Sequence, residues 1–283
     1  MRALLILLLF FSHLIFAQLQ LPELSPRAKI IEDIGYTRFE IQYGRPAARE
    51  RKIFGGLVPY QRLWRTGAGK STWLFFNTDV FINGKQVPAG AYAFVTIPGE
   101  KEWTVMLNSD TSQLYGDPSE YDVKREAARM TVKPEKTDQF YESLTIYLDS
   151  KKYDAEFYLA WENTQIHFPI VTRSHEKAIA AIESTLKKDP NDVATLSDAA
   201  FYYSMNNEDP DQIMRWLDKA LSIREERWLY HQKIDLLEKM KNYGEARKTA
   251  AKAIVYLKRE KPDNDGWEYS LREFEKKLKT WPD

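Results

Sequence analysis

Hydrophobic positions along this chain follow two different periods, and the switch between them is its main landmark. Phe39, Ile41 and Tyr43 alternate with Arg38, Glu40 and Gln42, the two-residue period of a strand with one buried and one wet face. A β-rich run over residues 72–82 ends at Asn83-Gly84, a dipeptide suited to a two-residue hairpin turn. Two further runs, 91–97 and 102–108, flank Pro98-Gly99-Glu100-Lys101, and another strand is expected over 143–148. Residues 154–161 and 165–171 read as a closing pair joined through Glu162-Asn163-Thr164, while 119–129 has room for a helical turn or two. Past Thr172 the period lengthens: Ile179, Ile182 and Leu186 share one helical face, with Lys177, Glu183 and Lys187 among the polar positions. Asp189-Pro190-Asn191-Asp192, Asp209-Pro210 and the stretch 262–265 punctuate the helices, with Asp as cap and Pro in the first turn. The expectation is an antiparallel β-sandwich or barrel-like domain over 24–172, followed by a short α-solenoid of helical hairpins over 173–283.

The helical half repeats. The pairs Thr185-Leu186, Ala220-Leu221 and Ala253-Ile254 are spaced 35 and 33 residues apart, which brackets the ~34-residue tetratricopeptide period. Tyr243, Glu245, Ala246, Ala253 and Ile254 resemble the second helix of that repeat, whereas the Trp and Gly-Tyr expected of the first helix are missing or displaced. Three hairpins fit the length. Such arrays present a concave groove to peptides or partner proteins, and a protein or peptide partner is the expectation here. The aromatic residues Phe201, Tyr202, Tyr203 and Trp216 read as core and groove wall.

The first seventeen residues stand apart. Arg2 precedes an apolar run that is interrupted at Ser12 and His13 and closes at Ala17. A basic residue, an apolar core and a small residue before a polar segment describe a signal peptide over 1–17, with cleavage expected between Ala17 and Gln18. The uninterrupted apolar run is short for a membrane span of about 20 residues. The expected destination is the periplasm, the envelope or the exterior. With 41 basic and 41 acidic residues, no global field recruits nucleic acid or an anionic membrane. The chain has no cysteine, so disulfides, thiol catalysis and thiolate metal sites are excluded.

A series of words in the β half carries a resemblance. Ser25-Pro26-Arg27, Tyr43-Gly44-Arg45-Pro46, Arg51-Lys52-Ile53-Phe54-Gly55-Gly56-Leu57-Val58-Pro59-Tyr60 and Trp64-Arg65-Thr66-Gly67-Ala68 occur in that order. Pro88-Ala89-Gly90-Ala91-Tyr92, Trp103-Thr104-Val105 and Trp161-Glu162-Asn163-Thr164 follow. Over residues 24–172 the chain resembles a bacterial family known as domain of unknown function 2911. The resemblance implies a β domain behind a signal peptide, often with tetratricopeptide repeats after it, and implies no activity. Gly69-Lys70 stands where the family pattern has Asn-Glu.

The candidate chemistry gathers near those words. Arg45, Arg49, Arg51, Lys52, Arg62, Arg65 and Lys70 face a single acid, Glu50, giving a local charge of +6 in a neutral protein. Glycines at 55, 56, 67 and 69 can bare backbone N–H groups beside these cations, the makings of an anion-binding concavity. Candidate ligand-binding residues are therefore Arg45, Arg51, Lys52, Trp64, Arg65, Thr66 and Lys70, for a carboxylate, phosphate, sulfate or glycan. The competing role is structural, with arginines stacked on aromatics and bonded to loop carbonyls. Gly67-Ala68-Gly69-Lys70-Ser71-Thr72 imitates the end of a phosphate-binding P-loop, but Trp64 replaces its first glycine and a β-type run follows it. Glu162 is a candidate acid; a glycosidase needs a second facing carboxylate, and neither Asp79 nor Asp122 is placed by the sequence. His167, His175 and His231 lack the paired spacing of metal ligands, so no metal and no cofactor is expected. The reading that results is an exported non-enzymatic binding or adaptor protein. The alternatives are a hydrolase of carbohydrate or phosphoester working through the Arg- and Gly-rich loop, and a purely structural envelope module.

Overall fold

A computed structural model describes residues 22–112, 121–260 and 265–282. The expected signal peptide, and part of the break near 262, lie outside them. The chain divides into two compact units, one up to Ser174 and one from His175 onward.

Among the described residues, ten strands build the first unit: β1 (Arg27–Ile34), β2 (Thr37–Gly44), β3 (Thr72–Phe76), β4 (Val80–Ile82), β5 (Lys85–Val87), β6 (Gly90–Ile97), β7 (Trp103–Asn108), β8 (Glu126–Val132), β9 (Glu135–Lys151) and β10 (Asp154–Val171). They form a six-stranded sheet in the order β1-β2-β3-β6-β7-β8 and a four-stranded sheet in the order β5-β4-β10-β9, with every paired neighbour antiparallel. The inner faces share one core. Phe39, Ile41, Leu74 and Phe94 from one sheet meet Ile146, Phe157, Leu159 and Phe168 from the other, and the Phe94 and Phe157 rings lie 4.8 Å apart. Burying each such side chain contributes about 1.5–3 kcal/mol. The Tyr43 hydroxyl accepts a hydrogen bond from the Ile146 amide at 3.0 Å, tying one sheet to the other.

Local chemistry explains the turns. Asn83 and Gly84 both take left-handed φ values, +50° and +73°, and join β4 to β5 as a primed hairpin turn requires. The run expected over 72–82 is two strands in different sheets. It breaks at Asn77, whose side chain accepts from the Arg38 amide at 2.7 Å and whose amide donates to the Arg38 carbonyl; Thr78 bonds Thr37 in the same way, hydroxyl to hydroxyl. The helical turn expected within 119–129 is a single 3-10 turn at Val123–Arg125, capped by Asp122, and β8 follows it.

β10 bends back on itself at Glu162, where φ is +51° and the register with β9 shifts. Its two halves lie side by side: Phe157 against Phe168 at 4.9 Å, Tyr158 against His167 at 5.2 Å, and Asp154 accepting from the Thr172 amide at 2.7 Å. The closing pair expected from the sequence is thus built within one long strand.

Among the described residues, six helices make the second unit: α1 (Ser174–Lys188), α2 (Val193–Asn206), α3 (Pro210–Ile223), α4 (Arg227–Lys239), α5 (Tyr243–Glu260) and α6 (Asp265–Thr280). Asp192 caps α2 by accepting from the Thr195 amide, and Asp209 caps α3 with Pro210 in its first turn. From α2 onward each helix packs on the next, and α2 also meets α4, so consecutive hairpins stack. Ala246, Ala250 and Ala253 are fully buried, small enough to let helices approach closely. Among the described residues, no helix is long and apolar enough to cross a membrane.

Candidate functional site

The connection from β2 to β3, residues 45–71, is long for a sandwich, and its anchors show how it is held. The Arg45 amide donates to Pro26, Ala48 to Glu142 and Gln61 to Pro98, each through the partner's carbonyl, while the Leu144 amide donates to Pro46. Trp64 and Thr96 exchange both backbone bonds, at 2.8 and 3.0 Å. The loop is therefore clamped to β9 at one end and β6 at the other. Ile53, Phe54 and Val58 enter the core, which fixes the middle.

This clamping builds an aromatic cluster beneath the loop. Phe54 meets Trp103 edge-on at 4.8 Å and Trp64 at 6.0 Å. Trp64 stacks on Trp161 at 6.0 Å with 19° between planes, and the Trp161 indole donates to the Glu142 carbonyl. Both indoles line a cleft of about 280 Å³, together with Pro46, Leu57, Pro59, Arg62, Arg65 and Gly67. The lining thus combines two indoles with two arginines.

The predicted binding residues divide. Trp64 and Arg65 line the cleft, and Arg65 also donates to the Gly69 carbonyl at 2.7 Å. Arg45, Arg51, Lys52, Thr66 and Lys70 do not line it. Arg45 donates to the Leu144 carbonyl and the Thr145 hydroxyl, and Arg51 to the carbonyls of Ala47 and Ala48. Lys52 and Lys70 are exposed. Thr66 is fully buried at φ +57°, unusual for a β-branched residue; its hydroxyl bonds Thr96, and its carbonyl accepts from Thr72. The P-loop imitation enters β3 rather than a helix, so it lacks the helix N-terminus that a phosphate cradle uses.

Two cleft residues escaped the sequence reading. Arg62 was one cation among seven; here it is exposed, lines the cleft and has no partner among the described residues. Trp161 arrives from a strand a hundred residues away, and it was marked only by its place beside Glu162 and in the family-like word Trp161-Glu162-Asn163-Thr164. Glu162 itself sits at the bend of β10, outside the cleft lining, near Tyr60. That phenol is held above its ordinary pKa first by burial, then by Glu100 and Glu162. Asp79 accepts from the Ala89 amide and Gln86, and Asp122 caps its 3-10 turn, so each has a local structural task. No group of three or more potential metal ligands occurs among the described residues.

The clamped loop and the strands beneath it fall within residues 25–170, which match the family described as "Protein of unknown function (DUF2911)". The chain belongs to the DUF2911 family. A comparison with curated proteins finds no match. The DUF2911 region takes in both sheets and the whole cleft, and it stops short of α1.

Proposed function

We propose that this DUF2911 protein is an exported, non-enzymatic binding protein. Its β unit holds a small ligand that joins a ring with an apolar face to an anionic group, a sugar acid being the simplest case, and its helices dock a protein partner. One observation carries the ligand: a cleft lined by the stacked pair Trp64 and Trp161 and by Arg62 and Arg65. Aromatic faces accept the apolar face of a ring, and guanidinium groups grip carboxylates in a fork. The helical reading is supported by period. α2 and α4 begin at Val193 and Arg227, 34 residues apart, and α3 and α5 at Pro210 and Tyr243, 33 apart, as in tetratricopeptide-like hairpins. The amino-terminal pattern supports export.

Titration of galacturonate and of neutral galactose, read by tryptophan fluorescence and calorimetry, tests the cleft. Arg62→Ala should weaken the acid by roughly 10- to 100-fold, as expected for one charged hydrogen bond. The thermal midpoint should barely move, because the side chain is exposed. Equal affinity for acid and neutral sugar, or an unchanged affinity in Arg62→Ala, would remove the anionic ligand from the account.

A further inference from the structure

Away from the cleft, the outer face of the four-stranded sheet carries a charge group that ligand binding does not use. His167, on the second half of β10, has Nδ1 2.6 Å from Glu156 Oε1 and Nε2 3.5 Å from Glu135 Oε1. The Glu156 side chain is 9% exposed and its other oxygen lies 3.4 Å from Lys151 Nζ. The His167 ring stacks on Tyr158, which stacks in turn on Tyr147 at 4.7 Å and 2°. Beside the cluster is a cavity of about 310 Å³ between Met130, Val132, Phe168 and Pro169, with Lys133 at its side.

We propose that His167 is an acid-closed latch that fastens the leading segment of β9 to β10. The argument is one of proton count. A neutral imidazole has one N–H and an imidazolium has two. Glu156 is buried and cannot give up its donor cheaply, so the Nδ1 proton stays with it at every working pH. Nε2 then carries a proton only in the imidazolium, and only then does it attract the half-exposed Glu135 carboxylate. In the neutral ring a lone pair faces that carboxylate instead. The stack on Tyr158 also favours the cationic ring.

The surrounding charges are Glu156, from the first half of β10; Lys151 and its neighbour Asp149, the latter opposite Glu156 in register; Glu135, which opens β9; and Lys133, from the connection before it. His167 is the group's only imidazole among the described residues, the side-chain type whose charge ordinarily changes near neutral pH. Hydrogen bonding to Glu156 holds its pKa above the ordinary value against burial, and Glu135 adds to this. The sign follows: the latch is fully closed below the ordinary histidine pKa and opens as pH rises through the folded value.

What it holds is a lightly anchored segment. Residues 135–142 are mostly exposed and pair irregularly with β10, helped by the Asn163 amide, which donates to the carbonyls of Thr137 and Gln139. Hydrogen exchange of the full chain, corrected for intrinsic rates, should show amides 136–141 about threefold less protected at pH 8.5 than at pH 5.5, the scale of a half-exposed ion pair. Glu135→Gln, at an exposed position that leaves the fold intact, should abolish that dependence and lower the His167 pKa read by NMR. Protection that does not change with pH, or a His167 titration unmoved in Glu135→Gln, would overturn the latch.

Discussion

Trp161→Ala is expected to lower the thermal midpoint of the β unit by roughly 6–20 °C. The indole is 1% exposed, stacks on Trp64 and meets Phe54 edge-on. Removing so large a buried ring costs about 3–5 kcal/mol, and each kcal/mol moves the midpoint of a domain this size by about 2–4 °C. The loss is one of packing. The Glu142 carbonyl that the indole serves keeps a second donor in the Ala48 amide, at 2.7 Å, so no buried acceptor is stranded. Calorimetry beside Trp73→Ala supplies the comparison. Trp73 lies half-buried on the outer face of β3, stacked only on Phe75 among its ring neighbours described here, and its loss should cost far less. A shift for Trp161→Ala no larger than that of Trp73→Ala would mean that the loop, and not the indole, holds this end of the sandwich together.

Gly44→Ala should be the most damaging single-methyl change in the cleft region. An added Cβ would stand 2.0 Å from the Ala68 carbonyl oxygen and 2.8 Å from its carbon. These are backbone atoms, so no rotamer relieves the clash. The loop would have to retreat, yet it is tied by the Thr72 amide to Arg65 and by the Thr72 hydroxyl to Thr66. We expect a loss of about 2–4 kcal/mol, together with loss of ligand binding, because Gly67 and Ala68 line the cleft. Gly69→Ala is the control. Gly69 has open space around its Cβ position but a φ of +72°, so an alanine there costs only the left-handed penalty of about 1–2 kcal/mol and should leave binding intact. Denaturant unfolding with ligand titration on both variants separates the two effects. Equal losses of stability would show that backbone strain, and not the Ala68 contact, governs this loop.

The sequence carried the architecture because the two hydrophobic periods are local signals. Phe39, Ile41 and Tyr43 alternate whatever β2 pairs with, and Asp209-Pro210 starts a helix through its own cap. The split of the 72–82 run was hidden because Asn77 breaks the strand through bonds to Arg38, far away in sequence. β8 and the first half of β9 were hidden for a related reason: β9 opens on the exposed residues Glu135 and Lys136, so no alternation announces it. The cleft was half legible. The Arg- and Gly-rich loop drew attention through its composition, but composition does not say which cation bonds a carbonyl and which stays free. Arg45 and Arg51 are spent on loop carbonyls, whereas Arg62 is not. Trp161 joins the site only through a long-range fold, and a single sequence holds no signal for that.

The position of β9 at the margin of its sheet has a bearing on solubility. One side pairs with β10. Among the described residues, the loop also meets β9 around Glu142–Thr145, through the bonds to Ala48, Pro46 and Arg45 and the bridge from Ala47 to Ser143. Among the described residues, the stretch before it pairs with no strand other than β10, and a strand edge left in that state can recruit a strand from another molecule. Glu135, Lys136 and Asp138 stand along that stretch, and such charges discourage one copy from zipping onto the next. The residues that make this strand hard to recognise are thus the ones that keep it from seeding fibres. Replacing all three with threonine should turn a monodisperse protein into one that sediments as it is concentrated.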